Sequence, residues 1–160
     1  MFKIIVAFDK DRVIGYQGWM PWNIKEDLQH FKEETNNSNL LMGSTTFNGL
    51  KKPLPNRITY VVSSKKVIET DNVKWVKDLD DFIEKHKNSE KEIFVCGGAS
   101  IYKQLLPYTK KMVVSLVKGK HKSDTFFPDF NEEDFKKGKV KSFEQFDVYH
   151  YLRREEIKWE

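Results

Sequence analysis

Cysteine is almost missing from this 160-residue chain: Cys96 stands alone, so no intramolecular disulfide framework can staple it. That scarcity fits a reducing compartment. No apolar run approaches the roughly 18 residues that cross a membrane, and the opening MFKIIVAFDKDR lacks the apolar stretch of a signal peptide. A soluble, cytoplasmic protein is therefore expected. Five prolines and eight glycines form no linker, and no repeat or low-complexity segment interrupts the chain, so residues 1–160 read as one domain. The histidines at 30, 86, 121 and 150 show no ligand spacing, and no metal site is expected. The hydrolase elbow, the Walker loop and the G-x-G-x-x-G fingerprint are all absent. Arginine is scarce too: of 28 basic residues, only Arg12, Arg57, Arg153 and Arg154 are not lysine.

What is present is core-forming material. Hydrophobic residues make up 39% and aromatics 14%, which excludes a largely disordered chain. A net charge of +4 and a pI near 9.0 raise the question of nucleic acid. Lysines, however, alternate with acids nearly everywhere, as in DNVKWVKDLDDFIEKHKNSEKE. A modest excess at Lys110, Lys111, Lys118, Lys120 and Lys122 carries no aromatic ladder on which bases could stack. This is a solvated surface with weak attraction for small anions. No nucleic-acid or membrane partner is expected.

Residues 2–8 (FKIIVAF) form a nearly continuous apolar run that suits a buried central strand. Asn23, with Glu26 three positions on, reads as a capping box opening a helix to about Glu34. Residues 39–42 read as a short strand, Gly43 to Leu50 as a short helix, and the two prolines of KPLPN as a turn. Further strands are expected at 58–62, 73–76, 92–96, 112–118 and, at a sheet edge, 146–154. Helical spacing covers 78–87 and 99–106. Strands alternate with helices over the first two-thirds, and the last third has none between its strands. The expected fold class is α/β: a central, mostly parallel twisted sheet with an antiparallel C-terminal edge and about four flanking helices.

A helix from Asn23 places Ile24, Asp27, Leu28 and Phe31 on one face. Three are apolar, so a carboxylate projects from the side that should meet the core. Asp27 is either an early-turn acid favoured by the helix dipole or a buried carboxylate suited to a cationic or hydrogen-bond-donating ligand. Two strand-to-helix junctions, Met42-Gly43-Ser44-Thr45-Thr46 and Cys96-Gly97-Gly98-Ala99-Ser100, begin with small residues. They are plain tight turns, or helix starts that hold a diphosphate between them. Arg57 closes a proline-stiffened turn; it either pairs with a surface acid or grips a ligand carboxylate with its fork. Cys96 reads as a small buried residue at a strand end.

Together these segments resemble dihydrofolate reductase along nearly the whole chain. The likeness is carried by Asp11-Arg12-Val13-Ile14-Gly15, Met20-Pro21-Trp22-Asn23 with Asp27 and Phe31 following, Met42-Gly43, and Pro53-Leu54-Pro55-Asn56-Arg57. Ser63-Ser64, Val95-Cys96-Gly97-Gly98, Ile101-Tyr102 and Asp124-Thr125-Phe126-Phe127-Pro128 complete it. The resemblance implies hydride transfer from NADPH to C6 of 7,8-dihydrofolate with protonation at N5. The product would be 5,6,7,8-tetrahydrofolate for one-carbon metabolism, made by a monomer that also takes antifolate-type small molecules.

By that analogy Asp27 is the catalytic carboxylate, with Trp22 and Tyr102 in the catalytic set and Ser115 supporting Asp27. Ile5, Ala7, Leu28, Phe31, Leu50 and Leu54 would line the folate cleft, and Arg57 would hold the glutamate α-carboxylate. Ala7, Ile14, Gly15, Cys96 and Tyr102 would surround the nicotinamide, and residues 15–20, ending in Met20, belong to the family's mobile loop. Thr45, Thr46, Gly98, Ala99 and Ser100 would contact the phosphates, with Gly43, Ser44, Gly97 and Ile101 in the same cofactor-binding stretches and a cis bond at Gly97-Gly98. Many bacterial members carry basic residues where Ser44 and Ser100 stand. The 2′-phosphate is then left to Ser63, Ser64 and Lys65 or Lys66, and weaker discrimination against NADH is expected. A related reductase acting on a pyrimidine intermediate of riboflavin synthesis is the second reading, opposed by the Asp27 and Arg57 pair; a non-catalytic nucleic-acid-binding module is the third.

Overall fold

The computed structural model describes residues 1–15, 20–50 and 54–154. In chain order the strands are Phe2–Asp9 (β1), Val13–Gly15 (β2), Asn39–Gly43 (β3), Ile58–Val62 (β4), Val73–Val76 (β5), Ile93–Val95 (β6), Thr109–Val117 (β7), Thr125–Phe126 (β8), Phe135–Ser142 (β9) and Phe146–Arg153 (β10). The helices are Lys25–Glu34 (α1), Ser44–Gly49 (α2), Leu79–His86 (α3) and Ala99–Leu105 (α4). Eight strands form one sheet in the order β5-β4-β3-β6-β1-β7-β10-β9. Only β10 runs against the others, pairing antiparallel with both β7 and β9. The expected α/β class, parallel sheet and antiparallel C-terminal edge are all present.

The apolar run at the start becomes β1 because both its faces are packed, with β7 along one edge and β6 beside its first residues. Both partners are parallel to it. Alternate residues then enter two cores. Ile4, Val6 and Phe8 join Leu41, Val95 and Val114 beneath α3 and α4, which contribute Phe82, Ile83, Ile101 and Leu105. Ile5 joins Leu40, Met42, Phe94 and Val113 on the other face, where Phe31 of α1 and Phe47 of α2 pack.

Three features depart from expectation. First, α1 begins one residue later than expected and the Asn23 capping box does not form: Ile24 takes the cap position, without a side-chain hydrogen bond, and its carbonyl accepts from the Asp27 and Leu28 amides at 3.2 Å. Burying an isoleucine stabilises by about 2 kcal/mol, more than the roughly 1 kcal/mol of a side-chain cap. Placement of Ile24 and Trp22 in the core therefore decides where the helix starts. Second, β10 is not the edge strand. The edge is β9, FKKGKVKS, exposed from Lys136 onward. Its polarity erases any alternation in sequence, and its lysines deter further strand pairing. Third, β2 and β8 form a separate antiparallel ribbon. With it, the Asp124 amide donates to the Gly15 carbonyl at 3.1 Å and the Phe127 amide to that of Arg12 at 2.8 Å. Among the described residues no helix is long and apolar enough to cross a membrane.

Leu41 is fully buried at the centre of the α3/α4 core, whereas Ile68 is 84% exposed. Urea unfolding should show Leu41→Ala destabilised by about 2–5 kcal/mol and Ile68→Ala unchanged within about 0.5 kcal/mol. Equal stabilities of the two variants would contradict this packing.

Candidate active site

The carboxyl ends of parallel strands, where the chain departs to helices on either face, form a natural crevice. The expected residues converge there: Ala7 on β1, Gly43 ending β3, Ser63 just past β4 and Cys96-Gly97-Gly98 just past β6. α1 crosses this end of the sheet, and Asp27 is its only buried residue, at 7% exposure. Ser115 on β7, paired in register with Ala7, lies near the Asp27 carboxylate and favours its ionised form. Burial raises the Asp27 pKa above the ordinary aspartate value; Ser115 and the nearby His30 only partly offset it. The remaining lone pairs of this carboxylate can accept from a ligand.

Apolar walls surround it. Ile5, Ala7, Met20, Trp22, Phe31, Leu50, Leu54 and Cys96 belong to a single packed cluster, and Leu28 projects with 39% exposure. The Trp22 indole N–H and His30 Nε2 are buried with no hydrogen-bond partner among the described residues. Cys96 donates to the Phe94 carbonyl at 3.4 Å, and burial pushes its thiol pKa up, so it is an inert wall. The resemblance placed Tyr102 in the catalytic set. Its hydroxyl instead donates to the Ile5 carbonyl at 2.8 Å, and burial holds its pKa well above the ordinary phenol value. Tyr102 thus ties α4 to β1.

At the far end Arg57 is buried rather than displayed on the surface. Its Nε donates to Thr35 Oγ1 at 3.1 Å, Nη1 to the Pro55 carbonyl and Nη2 to the Lys32 carbonyl. Three of the five guanidinium N–H groups are spent on fixing the side chain, leaving one on each terminal nitrogen. These nitrogens border an open cleft of about 550 Å³ lined also by Gln29, Lys32, Leu54 and Pro55. Thr35 went unnoticed in the sequence. It caps the end of α1, donates to the Phe31 carbonyl at 2.8 Å and is fully buried. A small polar residue at a helix end is too common a signal to have singled it out.

On the other side of the crevice, the Gly43 amide donates to the Gly97 carbonyl and the Cys96 amide to that of Leu41, both at 2.9 Å, knitting β3 to the chain leaving β6. The Gly97-Gly98 peptide is cis, and Gly97 adopts φ +114°, a conformation that L side chains rarely adopt. A Cβ built on Gly97 would meet Tyr102 at 3.5 Å and Thr46 Oγ1 at 3.6 Å, and one on Gly43 would meet Ile101 at 3.4 Å. α2 and α4 open after Gly43 and Gly98 without side-chain caps, with Ser44, Thr45, Ala99 and Ser100 in their first turns. Ser100 Oγ is taken by Gln104 at 3.1 Å, and Ser63 Oγ accepts from the Lys65 amide at 3.1 Å, while Ser64 and Lys65 are exposed. Ile14 packs into the α3/α4 core beside the crevice. Residues 16–19 of the expected loop, and Pro53, lie outside the described residues.

Comparison with known proteins agrees with this fold. A family model described as dihydrofolate reductase matches residues 1–155. Dihydrofolate reductase of Staphylococcus aureus is 32% identical over 133 residues, covering 83% of this chain and 81% of the relative. The solved structure of dihydrofolate reductase from Enterococcus faecalis complexed with NADP(H) and RAB-propyl superposes with a TM-score of 0.83 at 28% identity, over 97% of each chain. Matched over nearly its whole length by the family model, this chain belongs to the dihydrofolate reductase family.

Proposed function

We propose that this chain reduces 7,8-dihydrofolate to 5,6,7,8-tetrahydrofolate with NADPH, serving one-carbon metabolism. The reading is carried by two groups held at opposite ends of α1: the buried Asp27 carboxylate in its first turn, and the Arg57 guanidinium, fixed to Lys32 and Thr35 at its last turn with N–H groups to spare beside an open cleft. That spacing of an acceptor and an anion-binding fork suits a flat heterocycle with an amidine-like edge and a distant carboxylate. Asp27 accepts hydrogen bonds from that edge and, when ionised, raises the basicity of N5, which takes its proton from water. Ile5, Leu28, Phe31, Leu50 and Leu54 hold the ring and exclude bulk water.

The crevice also fits the cofactor named for the Enterococcus relative. Gly43, Gly97 and Gly98 bring backbone close to the uncapped starts of α2 and α4, which suits a diphosphate. When bound, NADPH supplies hydride from the nicotinamide C4. Ser44 and Ser100 bring no positive charge to the phosphates, so Ser63, Ser64 and Lys65 or Lys66 are left to recognise the 2′-phosphate.

Three measurements bear on this reading. Asp27→Asn should lower kcat about a hundredfold or more at pH 7 and recover partly in acid, where substrate arrives protonated; unchanged neutral activity would exclude the role. Stability supplies a companion signature. Because the folded-state pKa of Asp27 is raised, the native state holds its proton longer, and stability falls as pH rises from the ordinary aspartate range through the raised value. Asp27→Asn should therefore raise Tm above wild type at pH 8 and by less at pH 4.

Arg57→Lys keeps a charge but cannot both hold the Pro55 and Lys32 carbonyls and fork a carboxylate. The substrate KM should rise about ten- to a hundredfold, and equal affinity for folates with and without the glutamate would contradict the assignment. Finally, kcat/KM with NADPH should exceed that with NADH by less than about a hundredfold, some 2.7 kcal/mol, and a larger preference would show that the serines cost no selectivity.

A further inference from the structure

Asp9, at the end of β1, is completely buried and is not part of the cleft described above. Its Oδ1 accepts from the Asp11 amide at 2.9 Å and the Val13 amide at 3.1 Å, which fixes the turn into β2. Its Oδ2 meets Nδ1 of His121 at 3.1 Å. A carboxylate only accepts, so Nδ1 carries the proton and the orientation of the imidazole is set. The His121 ring lies edge-on to the Trp22 indole, with centroids 4.9 Å apart and planes at 70°. His121 belongs to the segment between β7 and β8, whose far end is held by the Asp124 amide on Gly15.

Trp22 needs such a support. It stands in the irregular segment before α1, outside any sheet ladder, and its N–H has no partner among the described residues. Asp9, in contrast, is locked in register opposite Val117 in the centre of the sheet. We propose that His121 is a positioning residue for the pterin end of the cleft: clamped by the buried Asp9 carboxylate, its ring edge sets the Trp22 indole against which that end is built. The relay runs from rigid sheet, through a charge-assisted hydrogen bond, to an aromatic contact. It rests on the assignment of Trp22 to the folate end of the site.

The test is steady-state kinetics of the whole chain with NADPH and dihydrofolate. His121→Ala should lower kcat about tenfold while the KM for NADPH moves less than about twofold. Asp9→Ala should match that loss. Asp9→Asn should restore most of it, because Asn Oδ1 still holds the turn and Nδ2 can donate to a ring nitrogen. In a Trp22→Phe background His121→Ala should cost less than about twofold more. A tenfold loss recurring in that background, or His121→Ala with kcat within twofold of wild type, would overturn the inference. Where His121→Ala fails to fold because it strands the Asp9 charge, the same comparisons are made in the Asp9→Asn background. Wild type that does not turn over dihydrofolate would remove the functional reading itself, whereas an active wild type with an indifferent His121→Ala removes only the relay.

Discussion

The cleft depends on one constraint: β1 is packed on both faces, paired along one edge by β7 and at its start on the other by β6. β7 pairs along its length and β6 over Phe2–Ile4, and two cores take its side chains. A strand so enclosed cannot shift register without turning Ile5 from one core to the other. Its carboxyl end is therefore a fixed reference. The Ile5 carbonyl takes the Tyr102 hydroxyl, Ala7 sits opposite Ser115, and Asp9 holds both the next turn and His121. Tyr102, Ser115 and His121, which come from distant parts of the chain, are aligned because each meets this strand.

Two buried aspartates show how the same side chain serves opposite purposes. Asp9 has three donors, two backbone amides and an imidazole, so its charge is spent within the fold. Asp27 has only the influence of Ser115 and His30, and burial still dominates its ionisation. A satisfied carboxylate is a strut. An under-satisfied one keeps its acceptor capacity for a ligand, at a cost in stability that grows with pH. Arg57 divides its donors in the same way, three for its own placement and the rest for the cleft.

Much of this was legible in the residues. The run FKIIVAF, the strand-helix alternation and the two glycine junctions mark the parallel sheet, because each rests on local periodicity or a local turn. Asp27 was visible as a carboxylate on an apolar helix face, and Arg57 as a rare guanidinium behind a stiff turn. What failed was decided by longer-range energies. Packing of Trp22 and Ile24 overrode the Asn23 cap, and β9 carries no periodicity because almost all of it faces solvent.

The sequence by itself determined the fold class and the chemistry available, since composition, periodicity and short motifs are properties of neighbouring residues. Only the tertiary structure decided the burial and the hydrogen-bond partners of each functional group. Burial is a sum over contacts from remote segments, and hydrogen-bond satisfaction depends on partners up to 112 positions away, as for His121 and Asp9. That is why Asp27 is buried, the Tyr102 hydroxyl is bound to the Ile5 carbonyl and Arg57 is buried on Thr35, Pro55 and Lys32, although nothing in their immediate neighbours distinguishes those environments.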